Sequence, residues 1–183
     1  MTSVPLHPAL VHIPLGLAFV LPVLALGFSW ALWKGHVRPR AWLAIVVLQA
    51  LLLGGGLLAM KTGQGEEKRV ESIVPEPALE THEELAEQFL WATGITLLPA
   101  ALVLILRRPG AVRALTGMTV IGTLLVAVAA VRVGHAGGQL VYVHNAATAY
   151  ASDNNANARP NKNPDTRLLE KGRAVADADD KER

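Results

Sequence analysis

Long apolar runs alternate with short polar breaks along most of the chain. Residues 9–33 contain no Asp, Glu, Lys or Arg, and neither do residues 41–60. At 1.5 Å per residue, a helix needs about 20 apolar residues to cross a hydrocarbon core of ~30 Å. The pattern predicts four such helices, at about residues 9–33, 41–60, 85–106 and 114–134. Pro14 falls in the opening turns of the first, where proline is tolerated, and Pro22 is expected to kink it. Trp30 and Trp33 sit at its far end, as interfacial anchors do. The expected fold is an all-α integral membrane four-helix bundle over residues 1–148. The stretch 149–183 is rich in Asn, Asp, Ala, Lys and Arg and almost free of large apolar side chains. A segment of that kind cannot bury a core, so it reads as a polar, flexible tail.

Charge orients the bundle. The first break holds Lys34, Arg38 and Arg40, and the third holds Arg107, Arg108 and Arg113. The second, about residues 61–84, carries seven glutamates against Lys61, Lys68 and Arg69. Short basic loops stay in the cytoplasm. Both termini and the acidic break are then expected on the outer, periplasmic side.

Composition narrows the chemistry. The chain has 183 residues, 51% of them hydrophobic, and only 17% charged, where a soluble domain carries about 25%. The net charge of +2 carries no nucleic-acid signal. There is no cysteine, which excludes disulfides, thiolate metal sites and covalent C-x-x-C-H haem within the chain. The first apolar run lacks a basic leader and is too long for a signal-peptide core, so a retained helix is expected. No phosphate loop, dinucleotide fingerprint or serine-nucleophile elbow occurs.

Five of the six histidines fall at one end of the expected bundle. His7 and His12 open the first run, His82 precedes the third, His135 closes the fourth and His144 follows it. His36 lies at the opposite end. In an antiparallel bundle the start of helix one, the start of helix three and the end of helix four share a side. A non-covalent haem needs axial imidazoles, a slot between helices and a polar group for its propionates. His12, His82 and His135 are the leading ligand candidates, then His144, then His7. Gly54 to Gly56, Gly134, Gly137 and Gly138 would admit a flat macrocycle, and Arg132, three residues before His135, could meet a propionate. The pairing is left open. On one helix, His7 and His12 would point about 140° apart.

Blander readings stand beside this one. Histidine suits a membrane interface, Arg132 can snorkel to water, and small residues pack membrane helices closely. A bare metal held by His12, His82, His135 or His144 is the second chemistry, with Glu83, Glu84 and Glu87 beside His82 as a mixed nitrogen–oxygen set. Those glutamates equally suit a helix start, with Thr81 as N-cap and Glu84 closing a capping box. There is no H-E-x-x-H, because His82-Glu83-Glu84-Leu85-Ala86 lacks the second histidine.

The opening His7-Pro8-Ala9-Leu10-Val11-His12-Ile13-Pro14-Leu15-Gly16 resembles the H-P-x-x-V-H-[FI]-P-[IL]-[GA] start of the DUF2231 family, four-helix bacterial membrane proteins of unassigned function. Gly137-Gly138-Gln139-Leu140-Val141-Tyr142-Val143-His144 is similar to that family's G-G-x-L-V-Y-x-H-G ending, and Thr62-Gly63 and His82 fit its layout. The resemblance covers about residues 5–148. It departs at Asn145, where the family usually has glycine, and a different backbone after His144 is the expectation. Some members are fused to cytochrome-type domains, so the resemblance leans toward redox work. Together these readings lead us to expect a multi-pass protein of the bacterial inner membrane, a b-type cytochrome. It would hold one or two haems near the periplasmic face and exchange electrons with a quinone, a periplasmic carrier or a larger membrane complex. A non-catalytic accessory subunit and a histidine-based metal-binding protein are the alternatives. A stand-alone enzyme is not expected.

Overall fold

The computed structural model describes residues 6–149, and all regular structure among them is helical. The polar tail expected over 149–183 lies almost wholly outside the described residues. A short helix α1 (Leu6–Leu10) leads into α2 (His12–Trp33). A 3₁₀ turn at Pro39–Trp42 opens α3 (Leu43–Val70). Helices α4 (Glu76–Ile105) and α5 (Pro109–Tyr142) complete the regular structure of the described residues. Four helical stretches, His7–Trp33, Pro39–Val70, Glu76–Ile105 and Pro109–Tyr142, are long and apolar enough to cross a membrane. In lipid no water is at hand to bond the backbone, so a helix, which satisfies its own N–H and C=O groups, is the form such runs take.

The helices outrun the apolar segments that predict them. The acidic break is itself mostly helix: α3 runs on through Lys61 to Val70, and α4 starts at Glu76. Thr81 is therefore not an N-cap. It lies inside α4, and its hydroxyl donates to the Pro77 carbonyl at 2.7 Å; Pro75, with extended backbone, precedes the first helical residue. Apolar content marks where lipid lies, whereas polar helix formers carry the helix onward into water. His135 likewise sits within α5 and does not close it. Helix α2 continues through Pro22.

Local chemistry sets the ends. At the end of α2 the Gly35 N–H donates to the Leu32 carbonyl and the His36 N–H to the Ala31 carbonyl. Gly35 sits at φ 75°, a left-handed helix stop that glycine adopts without Cβ strain. Pro109 opens α5 after the extended Arg108, a position where proline's missing N–H costs nothing. Asn145, φ 56°, follows α5. Asparagine tolerates the left-handed region, so the residue that departs from the family glycine still adopts a glycine-like backbone.

Paired contacts give the topology. Trp33 meets Thr116 while Leu15 nears Gly134; Trp42 meets Ala100 while Gln49 meets Thr93; Gly122 meets Thr96 while Gly137 meets His82. As numbering rises on one partner it falls on the other, so neighbours are antiparallel and α5 returns to pack on α2. The core is narrow. Ala18, Leu21, Ala25, Ile45, Leu52, Val126 and Ala130 are buried alongside Ser29, Gln49, Thr93, Thr96, Thr116, Thr119 and Thr123. Large apolar side chains such as Phe19, Val23, Trp91 and Leu125 are turned outward. Small inward residues and bulky outward ones are the arrangement expected where lipid replaces water outside.

Candidate functional site

The end of the bundle where α1 and α3 meet α4 and α5 brings two histidines together. The His7 and His82 rings have centroids 6.4 Å apart and planes at 88°. His7 comes from α1 and His82 from the second turn of α4. Only Val11 separates α1 from α2; it keeps helical dihedrals and its N–H donates to the His7 carbonyl, so His7 and His12 lie on one nearly continuous helical stretch. His7 Nδ1 donates to the Ala59 carbonyl on α3 at 2.7 Å, since a carbonyl only accepts. The neutral ring then carries its lone pair on Nε2. The Thr62 hydroxyl donates to the same Ala59 carbonyl at 2.9 Å. A Cβ on Gly63 would come within 3.1 Å of the His7 ring, so glycine there lets the imidazole lie against α3.

His82 is held differently. Its ring lies against α5, where a Cβ on Gly137 would stand 3.1 Å from Cε1. Its Nδ1 is shut off from solvent and has no hydrogen-bond partner. A buried ring nitrogen left this way is uncommon, because an unmet polar group inside a protein costs about 1–3 kcal/mol.

The other histidines are not drawn into this pair. His12 is exposed, and its Nδ1 donates to the Pro8 carbonyl at 2.7 Å within its own turn. It stands two residues from the buried Pro14, nearly opposite it around the helix. His135 is also exposed; Gln139 Nε2 donates to its Nε2 at 3.3 Å. It is nine residues from the buried Val126, about 180° around α5. His12 and His135 therefore face away from the core. His144 is half-buried just beyond α5, Arg132 is exposed near His135 and away from the core face, and His36 stacks on Trp30 at the other end, centroids 5.5 Å apart.

The expected glycines divide in the same way. Gly55 packs on Pro14, Gly56 on Leu90 and Phe89, and Gly134 lies 4.0 Å from Leu15, while Gly54 and Gly138 have open surroundings. Of the glycines expected beside a cofactor, Gly137 alone touches a histidine; Gly63 is the one that spacing arguments passed over.

Next to His82 lies a cleft of about 510 Å³ lined by Glu67, Glu71, Val74, Glu76, Leu79, Glu80 and Glu83. Among the described residues no three His, Cys, Asp or Glu side chains stand close enough to hold a bare metal ion. Glu83, Glu84 and Glu87 do not complete such a set around His82.

A family model described as a predicted membrane protein matches residues 3–150. The chain belongs to the DUF2231 family. The matched region takes in all the helices and both histidines of the pair, and it ends where the polar tail begins. No curated protein and no solved structure matches the chain. For this DUF2231 protein the comparison thus gives a membrane family and leaves its chemistry to the side chains.

Proposed function

We propose that this DUF2231 protein is a membrane b-type haem protein whose axial ligands are His7 and His82, and that it transfers single electrons. The observation that carries the reading is the spacing of the two rings. Metal–imidazole bonds of about 2 Å on opposite sides of one ion hold ring centroids roughly 6 Å apart, close to the 6.4 Å between His7 and His82.

Three features support it. Metal-ligating histidines usually engage their second nitrogen with a carbonyl or carboxylate, and His7 does so with the Ala59 carbonyl. The unpartnered Nδ1 of His82, if unprotonated, is a lone pair free to bind a metal. Two imidazoles with no third protein ligand suit a haem, which brings its own equatorial nitrogens, better than a structural zinc, which takes four protein donors.

When bound, the haem supplies a one-electron iron couple. The chain does the rest. Ala59 fixes the His7 tautomer, and Gly63 and Gly137 let the rings sit against α3 and α5. A haem held by both His7 and His82 would have no place left for a substrate at its iron, which favours electron transfer over catalysis. The five glutamates beside His82 suit a basic partner such as a periplasmic electron carrier, whose approach they would speed. A quinone or larger membrane complex would take the other end of the transfer. The positive-inside rule puts this end on the periplasmic face of the bacterial inner membrane. His12 and His135 become interfacial side chains in this reading.

The deciding test is a dithionite-reduced minus air-oxidised spectrum of detergent-purified protein expressed with ample haem. Soret, α and β bands are expected in the parent, H12A and H135A proteins, and are expected to vanish in H7A and H82A variants that remain monodisperse. A featureless parent spectrum would leave the accessory-subunit reading standing. Bands that survive loss of both His7 and His82 would move the ligands elsewhere.

A further inference from the structure

The other end of the bundle has a character of its own. Lys34, Arg38, Arg40, Arg107, Arg108 and Arg113 are all exposed there. All eight carboxylates among the described residues, Glu66 to Glu87, are at the opposite end, so among the described residues none of the six cations has a carboxylate near it. The two segments that carry them are tied together. Trp33 Nε1 donates to Thr116 Oγ1 at 3.0 Å, which puts Lys34 one residue, and Arg113 three residues, from the same hydrogen bond. Trp42 Nε1 donates to the Ala100 carbonyl at 2.9 Å, which holds the segment after Arg40 against α4. Trp30, 55% exposed, stacks on His36 on the outer surface of the same end.

We propose that this end binds anionic phospholipid, with a lipid phosphate held between the segment 34–40 and the segment 106–113, where α4 turns into α5. Six exposed cations at one end, with no counter-ion among the described residues, favour an anion brought from outside. Arg side chains offer planar forks that match phosphate oxygens. The segments follow directly on apolar helix faces carrying exposed Leu102, Ile105 and Trp33, so an anion bearing acyl chains fits the surface better than a free one. Indole rings at the headgroup level suit that boundary. Nothing here depends on haem.

The test uses full-length protein in an uncharged detergent, titrated with phosphatidylglycerol, with phosphatidylcholine of the same chains and with inorganic phosphate; bound lipid is counted by native mass spectrometry. Phosphatidylglycerol is expected to bind at low stoichiometry and roughly tenfold or more tightly than phosphatidylcholine. R107Q/R108Q/R113Q and, independently, K34Q/R38Q/R40Q are expected to erase that preference. R107K/R108K/R113K, which keeps the charge, should retain most of it, and K61Q/K68Q at the far end should retain all of it. Equal binding of the two lipids would overturn the proposal, as would equal loss in K61Q/K68Q. Displacement of the lipid by millimolar phosphate would assign the segments to free anions instead.

Discussion

The middle of the bundle and its His7–His82 end both bury polar side chains, but they treat them in opposite ways. In the middle, the hydroxyls of Thr93, Thr96, Thr119 and Thr123 donate to carbonyls three or four residues back on their own helices. Each is satisfied without reaching a neighbour and presents its methyl group to the packing. Cross-helix bonds there are few: Trp33 to Thr116, Trp42 to Ala100, and Gln49 Nε2 to the Thr93 carbonyl. At the histidine end, each ring touches a backbone on another helix, and one nitrogen is left over. The middle uses polar atoms to make small, tightly packing shapes; the end leaves lone-pair capacity unspent. A polar residue in a membrane bundle is thus informative only once its own helix has been checked as the partner. Gln49 Oε1 and Ser29 Oγ, also left without partners, are the exceptions within the middle.

The contrast can be broken most sharply at the end. His82→Ala is expected to abolish bound haem, read as haem per polypeptide after extraction, while the bundle still unfolds cooperatively. If the stoichiometry holds, the two ends of the contrast are alike and both merely structural. The next largest effect belongs to close packing in the middle. A Cβ on Gly122 would come within 2.6 Å of Thr96 Oγ1, so Gly122→Val should cost about 1–3 kcal/mol in detergent unfolding. An unchanged midpoint would mean that α4 and α5 are slack there.

Trp42→Phe removes an indole bond in a fully buried site. A loss of about 1 kcal/mol is expected, in line with the modest worth of interhelical bonds in membranes. Smallest of all should be Thr119→Val, within about 0.5 kcal/mol, because its hydroxyl serves its own helix. A large effect there would show a cross-helix role and erase the distinction drawn above.

Much of the fold was legible from the sequence. Four long apolar runs, two of them without a charge, and two basic loops specify four antiparallel spans, because lipid leaves a backbone few options. Helix ends were read less well. Lys61 to Val70 and Glu76 to Glu84 look like a loop by charge, yet they are helix, since Glu, Lys, Gln and Arg form helices as readily as apolar residues do. The site was half legible. Topology alone predicts that His7 and His82 share an end. His7 and His12 lie five residues apart on a nearly continuous helix and point about 140° apart; that His7 is the one beside His82 depends on how this helix packs on α3 and α4. Gly63 was visible only as part of Thr62-Gly63; its use as a bed for an imidazole needs a partner 56 residues away.

The overrun of α3 and α4 past their apolar stretches makes these two helices uneven across a bilayer. Near the arginines the helices stop almost where the apolar residues stop. At the other end about ten further residues of α3, and a similar length of α4, rise some 15 Å at 1.5 Å per residue. One face lies nearly flush, and the other stands up as a short rigid turret with His82 near its base and glutamates along its wall. A visitor arriving from water on that side would meet the turret before it met lipid. An enzyme or antibody fragment that cuts or grips Ser72 to Pro75 at its crest would report which compartment the turret faces.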